Sequence, residues 1–361
     1  MKRILQELRA MPILWLLVLA PAVLVANYVA PESHTLLFLL STAAILPLAT
    51  LLGRSTEAVG ARTGDTIGGL LNASLGNLPE LIIGLAALRM GMFELVTAAM
   101  AGAIVGATLL MLGIALLTGG LRHHAQTYNS ESAHLHISML LLATVTLLVP
   151  SSLAGVEALH ATHYLEHLSV GLSILLIVSY FLGLAFSLGT HRELFATQAQ
   201  DAEEDSPWPL PASIAGLIAS TVLIALVSEI FVESVQVAAE QLGMSPMFVG
   251  SVVVALAGAA PGFITAASAA RKNRLDLAIG ISVGSASQIA LFVAPVLALG
   301  SYLLAPSPMT LTFKPGQVAV VFVSVLTAAF VASSGRSNWF TGAQLIATYL
   351  VFAITLFLLP G

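Results

Sequence analysis

Apolar runs of about twenty residues, separated by short polar stretches, follow one another along nearly the whole chain. An α-helix rises 1.5 Å per residue, so roughly 20 apolar residues cross the hydrocarbon core of a bilayer. On that measure the pattern predicts eleven helices, over residues 11–30, 34–53, 65–88, 94–118, 135–154, 167–189, 210–234, 246–270, 276–300, 316–333 and 339–359. One gap differs from the rest, a linker before residue 210 that carries Asp201, Glu203, Glu204 and Asp205.

Composition agrees with a multi-pass membrane protein. The 361 residues are 58% hydrophobic and 9% charged, with a mean hydropathy of +0.97, too little charge to solvate a globule of that size. A formal charge of −5, scattered along the chain, argues against a nucleic-acid partner. With no cysteine there is neither a disulfide nor a thiolate metal site. Met1-Lys2-Arg3 ahead of the run from Met11 has the look of a signal peptide, but that run continues to about Ala30 without a small-residue cleavage site. It reads as a retained first helix.

The chain also repeats itself. Gly76-Asn77-Leu78-Pro79-Glu80 returns 182 residues later as Gly258-Ala259-Ala260-Pro261-Gly262. The same offset places Gly68 on Gly250, Arg89 on Arg271, Glu94 on Asp276, Leu95 on Leu277 and Gly102 on Gly284. A gapless register through so many Gly, Pro and charged positions marks an internal duplication. With the N terminus in the cytoplasm, 11 of the 13 Lys and Arg residues fall on the cytoplasmic side, leaving only Arg89 and Lys314 outside. This is the asymmetry that orients helical membrane proteins. Five crossings then separate the helix of Glu80 from the helix of Gly262, so the two run in opposite directions. The expected architecture is an N-terminal helix (1–30), a five-helix repeat (31–189), an acidic cytoplasmic linker (190–209) and an inverted second repeat (210–361), most simply in a bacterial inner (plasma) membrane.

Inverted repeats with Gly and Pro interrupting their helices near the midplane build central sites that face either side by rocking. Pro79 and Pro261 each remove a backbone N–H and free a carbonyl, and Gly76 and Gly258 precede them. Glu80 is the only acidic residue deep within either repeat motif. A carboxylate at the bilayer centre costs about 2.5–3.5 kcal/mol on insertion scales, so it needs a cation or a proton. A carboxyl group that alternates between the two couples their movements. Asn77, three residues earlier on the same helical face, brings an amide oxygen to the same ion. An isolated Gln288 on its helix reads equally as a link between two helices.

The segment from Gly69 to Ile83, with Gly76-Asn77-Leu78-Pro79-Glu80 at its centre, resembles the first signature of calcium/proton exchangers in the cation/calcium exchanger superfamily. Lys272 to Gly280, Gln288 to Pro295 and Ser337 to Leu345 are similar to further stretches of that family. The resemblance implies eleven helices, no enzymatic activity, no cofactor, and a small inorganic cation, calcium foremost, exchanged for H⁺ across the lipid bilayer. It leaves open whether the chain forms a homo-oligomer. It also assigns Gln288 to the backbone of a broken helix. Two departures stand out: the family's second Gly-Asn-x-x-Glu is here Gly258, Ala259 and Gly262, and Ala107 lies where the family commonly has Asn. Calcium takes six to eight oxygens, usually from several carboxylates. Three readings follow: calcium/proton exchange with another group such as Glu229 replacing the lost carboxylate, exchange of a monovalent cation, or a transport-inactive regulatory protein. Glu229, next to Ser228 near the outer end of its helix, also reads as a side chain snorkelling to the surface.

A membrane metalloenzyme is the remote alternative, because His160, His163 and His167, and separately His123, His124, His134 and His136, have spacings suited to imidazole ligation. The topology puts the two groups on opposite sides of the membrane.

Overall fold

The computed structural model describes residues 12–63, 68, 70–71, 74–153, 162–191 and 208–358. Twelve helices and one small sheet make up the described part. They are α1 (Pro12–Val29), α2 (His34–Thr63), α3 (Leu78–Arg89), α4 (Phe93–His123), β1 (Ala125–Thr127), α5 (Ser130–Leu153), α6 (Thr162–Ala185), α7 (Leu210–Gln241), α8 (Pro246–Gly258), α9 (Ala260–Arg271), α10 (Leu275–Leu304), α11 (Pro315–Ala332), β2 (Arg336–Asn338) and α12 (Trp339–Leu358). The protein is an integral, multi-pass helical membrane protein.

Among the described residues nine helices are long and apolar enough to cross a bilayer, and α8 with α9 form a tenth span bent by 58°. The expected helix over 65–88 is represented by α3, and much of its first half lies outside the described residues. Several helices outrun their expected ends. α2 continues from 53 to Thr63 through Arg54, Ser55 and Glu57, and α7 continues from 234 to Gln241. Apolar patterning reports the membrane-crossing part of a helix, whereas the hydrogen-bonded ladder continues into the interface wherever helix formers allow.

α4 and α10, twins under the 182-residue offset, are the most enclosed spans among the described residues, with 83% and 67% of an apolar 18-residue stretch of each buried. The long helices α2 and α7 pack along each other, with Phe38 stacked on Phe231 at 5.5 Å. The outer helices α1 and α11 turn residues such as Tyr28 and Phe330 outward, both at least 79% exposed.

Polar contacts sort the helix ends into two faces. At one, Arg89 pairs with Glu229 at 2.9 Å and Lys314 with Glu94 at 2.9 Å, and Leu311 and Phe313 donate backbone N–H groups to Ser169 and Ser151. At the other, His123 meets the Arg271 carbonyl, Gln126 donates to the Ala270 carbonyl and to Asn273, and the Asn129 N–H donates to Asp276. There β1 pairs antiparallel with β2. The 31 residues of α4 separate Glu94 on the first face from His123 on the second, about 45 Å at 1.5 Å per residue. α3 therefore ends, at Arg89, on the face opposite to the end of α9 at Arg271. The twin helices are inverted.

Candidate ion-binding site

Two half-helices begin at the centre of the molecule. Gly76 and Asn77 form a turn before α3, and Ala259 separates α8 from α9; Pro79 and Pro261 sit in the first turn of α3 and α9. Proline is at home there, since the first N–H groups of a helix have no intrahelical acceptor. Asn77 occupies the N-cap of α3, yet its side chain makes no capping hydrogen bond. It crosses instead to α10, donating through Nδ2 to Gln288 Oε1 at 2.6 Å and accepting from Ser285 Oγ at 2.8 Å. The chain thereby gives up a local cap, typically ~1 kcal/mol, for a link between the two halves.

Glu80 lies in the first turn of α3. Its Oε2 is fully buried and has no hydrogen-bond partner. The positive end of the helix dipole contributes about 0.3–1 kcal/mol to an anion in that position, at most ~2. Set against the ~2.5–3.5 kcal/mol cost of the charge at membrane depth, the dipole leaves the carboxylate undercompensated. A cation or proton has to supply the rest. Next to Glu80 is a cavity of about 20 Å³ bordered by Ala99, Ala103, Val254, Ile289, Val293 and Leu297 among others, with Glu80 its one polar side chain; its volume is that of one water molecule.

Close packing at Gly258 sets the opposite wall. A Cβ there would lie 2.9 Å from Glu80 Cγ and 3.2 Å from Oε1, so only glycine lets the α8 backbone approach this carboxyl. A similar closeness holds α4 to α8, where a Cβ at Gly102 would overlap the Ser251 backbone, and Ser251 Oγ donates to the Ala98 carbonyl at 3.1 Å.

The duplication is visible in the surroundings. A Cβ at Gly262, twin of Glu80, would meet Met111 and Ile281, whose twins Val293 and Ala99 border the Glu80 cavity. Both α4 and α10 carry a π-helical segment at matching places, Gly106–Met111 and Ile289–Val293, a distortion that gathers at functional sites. Offsetting the polar cluster of Asn77, Glu80, Ser285 and Gln288 gives Ala259, Gly262, Ala103 and Gly106. None of these four carries a side-chain oxygen.

Of the residues expected at the site, Asn77, Glu80, Gln288, Gly258, Pro79 and Pro261 meet at or beside the helix breaks, with the exposed Gly76 in the turn before Asn77. Gln288 binds the Asn77 side chain rather than helix backbone. Glu229 is not brought to Glu80; its side chain is 51% exposed and held by Arg89 at one face. Ala107 is fully buried in the π segment of α4. Ser285 and Met111 were not singled out by sequence, although the offset that exposes Gly262 would have reached Ser285 through its apolar twin Ala103. His160 lies outside the described residues, and among the described residues no three His, Cys, Asp or Glu side chains gather as a metal site.

A carboxyl group with a buried, unpartnered oxygen at facing helix breaks between inverted repeats is the architecture of a membrane ion transporter. The sodium/calcium exchanger protein family model matches this chain twice, over residues 33–189 and 212–358. The chain belongs to that family. It is 37% identical over 338 residues to the Ca²⁺/H⁺ antiporter of Aphanothece halophytica, covering 90% of each. It is 38% identical over 326 residues to the Ca²⁺/H⁺ antiporter ChaA of Bacillus subtilis, covering 90% of this chain and 92% of the relative. Native YfkE superposes with a TM-score of 0.84 at 32% identity, over 95% of this chain and 99% of YfkE. The H⁺/Ca²⁺ exchanger CAX shares the fold, with a TM-score of 0.73 at 15% identity over 97% of this chain and 88% of CAX.

Proposed function

We propose that this protein is a proton-coupled calcium antiporter that works by alternating access, with Glu80 as the group that exchanges a proton for the cation. The observation that carries the reading is Glu80 itself, whose Oε2 is buried without a hydrogen-bond partner and whose Cγ and Oε1 lie against Gly258, at the end of α8. The antiporters that match over nine-tenths of the chain supply the calcium assignment. When ionised, Glu80 offers two oxygens to the ion. Asn77 Oδ1, carbonyls freed at the helix breaks and water complete a shell for a hard cation. Protonation of Glu80 removes the negative charge and releases the ion, so the empty carrier returns neutral. Gly76, Gly258, Pro79 and Pro261 shape the breaks, and Gln288 with Ser285 holds Asn77 in place. Glu229, tied to Arg89, belongs to the entrance.

In the same reading the N terminus faces the cytoplasm of a bacterial cell, because Arg62, Arg122, Arg271, Lys272, Arg274 and Arg336 lie toward the face of β1 and β2. Residues 31–189 and 210–361 act as two five-helix units that rock against each other, joined by the 190–209 linker. Exchange of a monovalent cation is the second reading, favoured by the absence of side-chain oxygens at Ala259 and Gly262. Proteoliposomes carrying an imposed pH gradient and offered Ca²⁺, Na⁺, K⁺ or Mn²⁺ separate the two. Calcium uptake that collapses the gradient is expected; dissipation by Na⁺ or K⁺ with none by Ca²⁺ would establish the second reading instead.

A further inference from the structure

Met111 lies on α4, at the end of its π-helical segment, and is 1% exposed. Its Cε and Sδ would lie 2.7 and 3.2 Å from a Cβ placed on Gly262. Any side chain at Gly262 therefore has to displace a methionine already packed into that space. Methionine is unbranched and adapts to irregular gaps, so it fills the second half-site where the first half-site has a carboxyl and a cavity. Among the ten described Asp and Glu residues, Glu80 is the one with a fully buried, unpartnered carboxyl oxygen.

Resting on the exchange reading above, we infer that Met111 seals the second half-site, so that Glu80 alone carries the cycle and each divalent cation is exchanged for one proton. The charges then balance as follows. With the cation bound, a carboxylate of charge −1 and an ion of charge +2 cross with a net charge of +1. On return the same carboxylate carries one proton and crosses neutral. One turnover moves one divalent cation one way and one proton the other, transferring one positive charge in the direction of the cation. A pair of central carboxylates would return two protons and transfer none. With glycine at 262 and Met111 packed over it, the second half-site holds no acid, and calcium movement responds to membrane voltage.

The test uses the full-length protein in liposomes with a trapped pH dye, the potential clamped by K⁺ and valinomycin, and radioactive Ca²⁺ as the probe. The expected result is one proton released per Ca²⁺ taken up. The limiting Ca²⁺ accumulation should rise about 50-fold per 100 mV of inside-negative potential, the factor for one elementary charge. Two protons per Ca²⁺ with accumulation indifferent to potential would overturn the inference and leave the exchange reading standing. Absence of Ca²⁺-driven proton movement would overturn both. The double variant Met111→Ala/Gly262→Glu should shift the ratio toward two and lose its voltage response, whereas Gly262→Glu alone should not. A double variant that folds and exchanges yet keeps a ratio of one would remove Met111 from the account. Should the double variant fail to fold, the wild-type ratio still decides.

Discussion

The two halves of the molecule share a backbone plan and differ in chemistry. α3 and α9 both start at a proline-bearing break, and α4 and α10 both contain a π segment at matching places. Yet Asn77, Glu80, Ser285 and Gln288 stand against Ala259, Gly262, Ala103 and Gly106. In an inverted pair each half-site is built by one repeat's broken helix and the other repeat's central span. Both contributions to the second half-site are missing, not just the acid. On the exchange reading proposed above, the backbone breaks are retained because they position one ion site between two halves. The lost polar groups are filled by packing, Met111 chief among them.

Substitutions at twin positions sharpen this contrast. The largest effect is expected from Glu80→Gln, which keeps the shape and removes the ionisable group: pH-gradient-driven Ca²⁺ uptake should fall to the level of empty liposomes, with the thermal unfolding midpoint of the purified protein nearly unchanged. Uptake at wild-type rate would end the one-acid account. Gly258→Ala comes next, since its Cβ would press on Glu80 Cγ at 2.9 Å. Overpacking of this kind costs ~1–3 kcal/mol; borne by the ion-bound state, that lowers apparent Ca²⁺ affinity by about 5- to 160-fold. The same change at its exposed twin Gly76 should be far milder, and equal losses at both sites would dissolve the asymmetry.

Asn77→Ala strips partners from Ser285 and Gln288, which lowers stability by about 0.6–1.7 kcal/mol, the range for interhelical hydrogen bonds in membranes, and should be read by thermal unfolding in detergent. Restoring the amide at the other half, Ala259→Asn, has only Ala103 and Gly106 at the twin positions of Ser285 and Gln288 and should not raise Ca²⁺ affinity. Smallest of all is Glu229→Gln. An exposed ion pair contributes ~0–1 kcal/mol, so transport should stay within about twofold of wild type. A loss comparable to that of Glu80→Gln would show that Glu229 is the missing second acid after all.

Much of this arrangement is legible in the sequence, for identifiable reasons. Hydrophobic run length locates spans because the bilayer imposes a length, and the offset of 182 locates the breaks because Gly and Pro are difficult to replace where a helix must stop. What run length misses is where helices end, as with α2 reaching Thr63, because polar residues beyond the hydrocarbon still form helix. Glu80 is conspicuous from sequence because charge at membrane depth is costly. Its surroundings are not: Ser285 and Met111 are ordinary residues until the fold brings them within reach of Asn77 and Gly262. Glu229 stands out in the sequence by its charge, and only the structure places Arg89 beside it.

On the exchange reading, Glu80 gives up a proton as it takes the cation. Infrared difference spectroscopy on the purified protein, recorded before and after Ca²⁺ addition across a pH titration, observes that carboxyl directly. One protonated-carboxyl band should vanish on Ca²⁺ addition in the wild type and be absent from the difference spectrum of Glu80→Gln. A band that persists with Ca²⁺ bound, or one lost equally in the Glu80→Gln variant, would contradict the account.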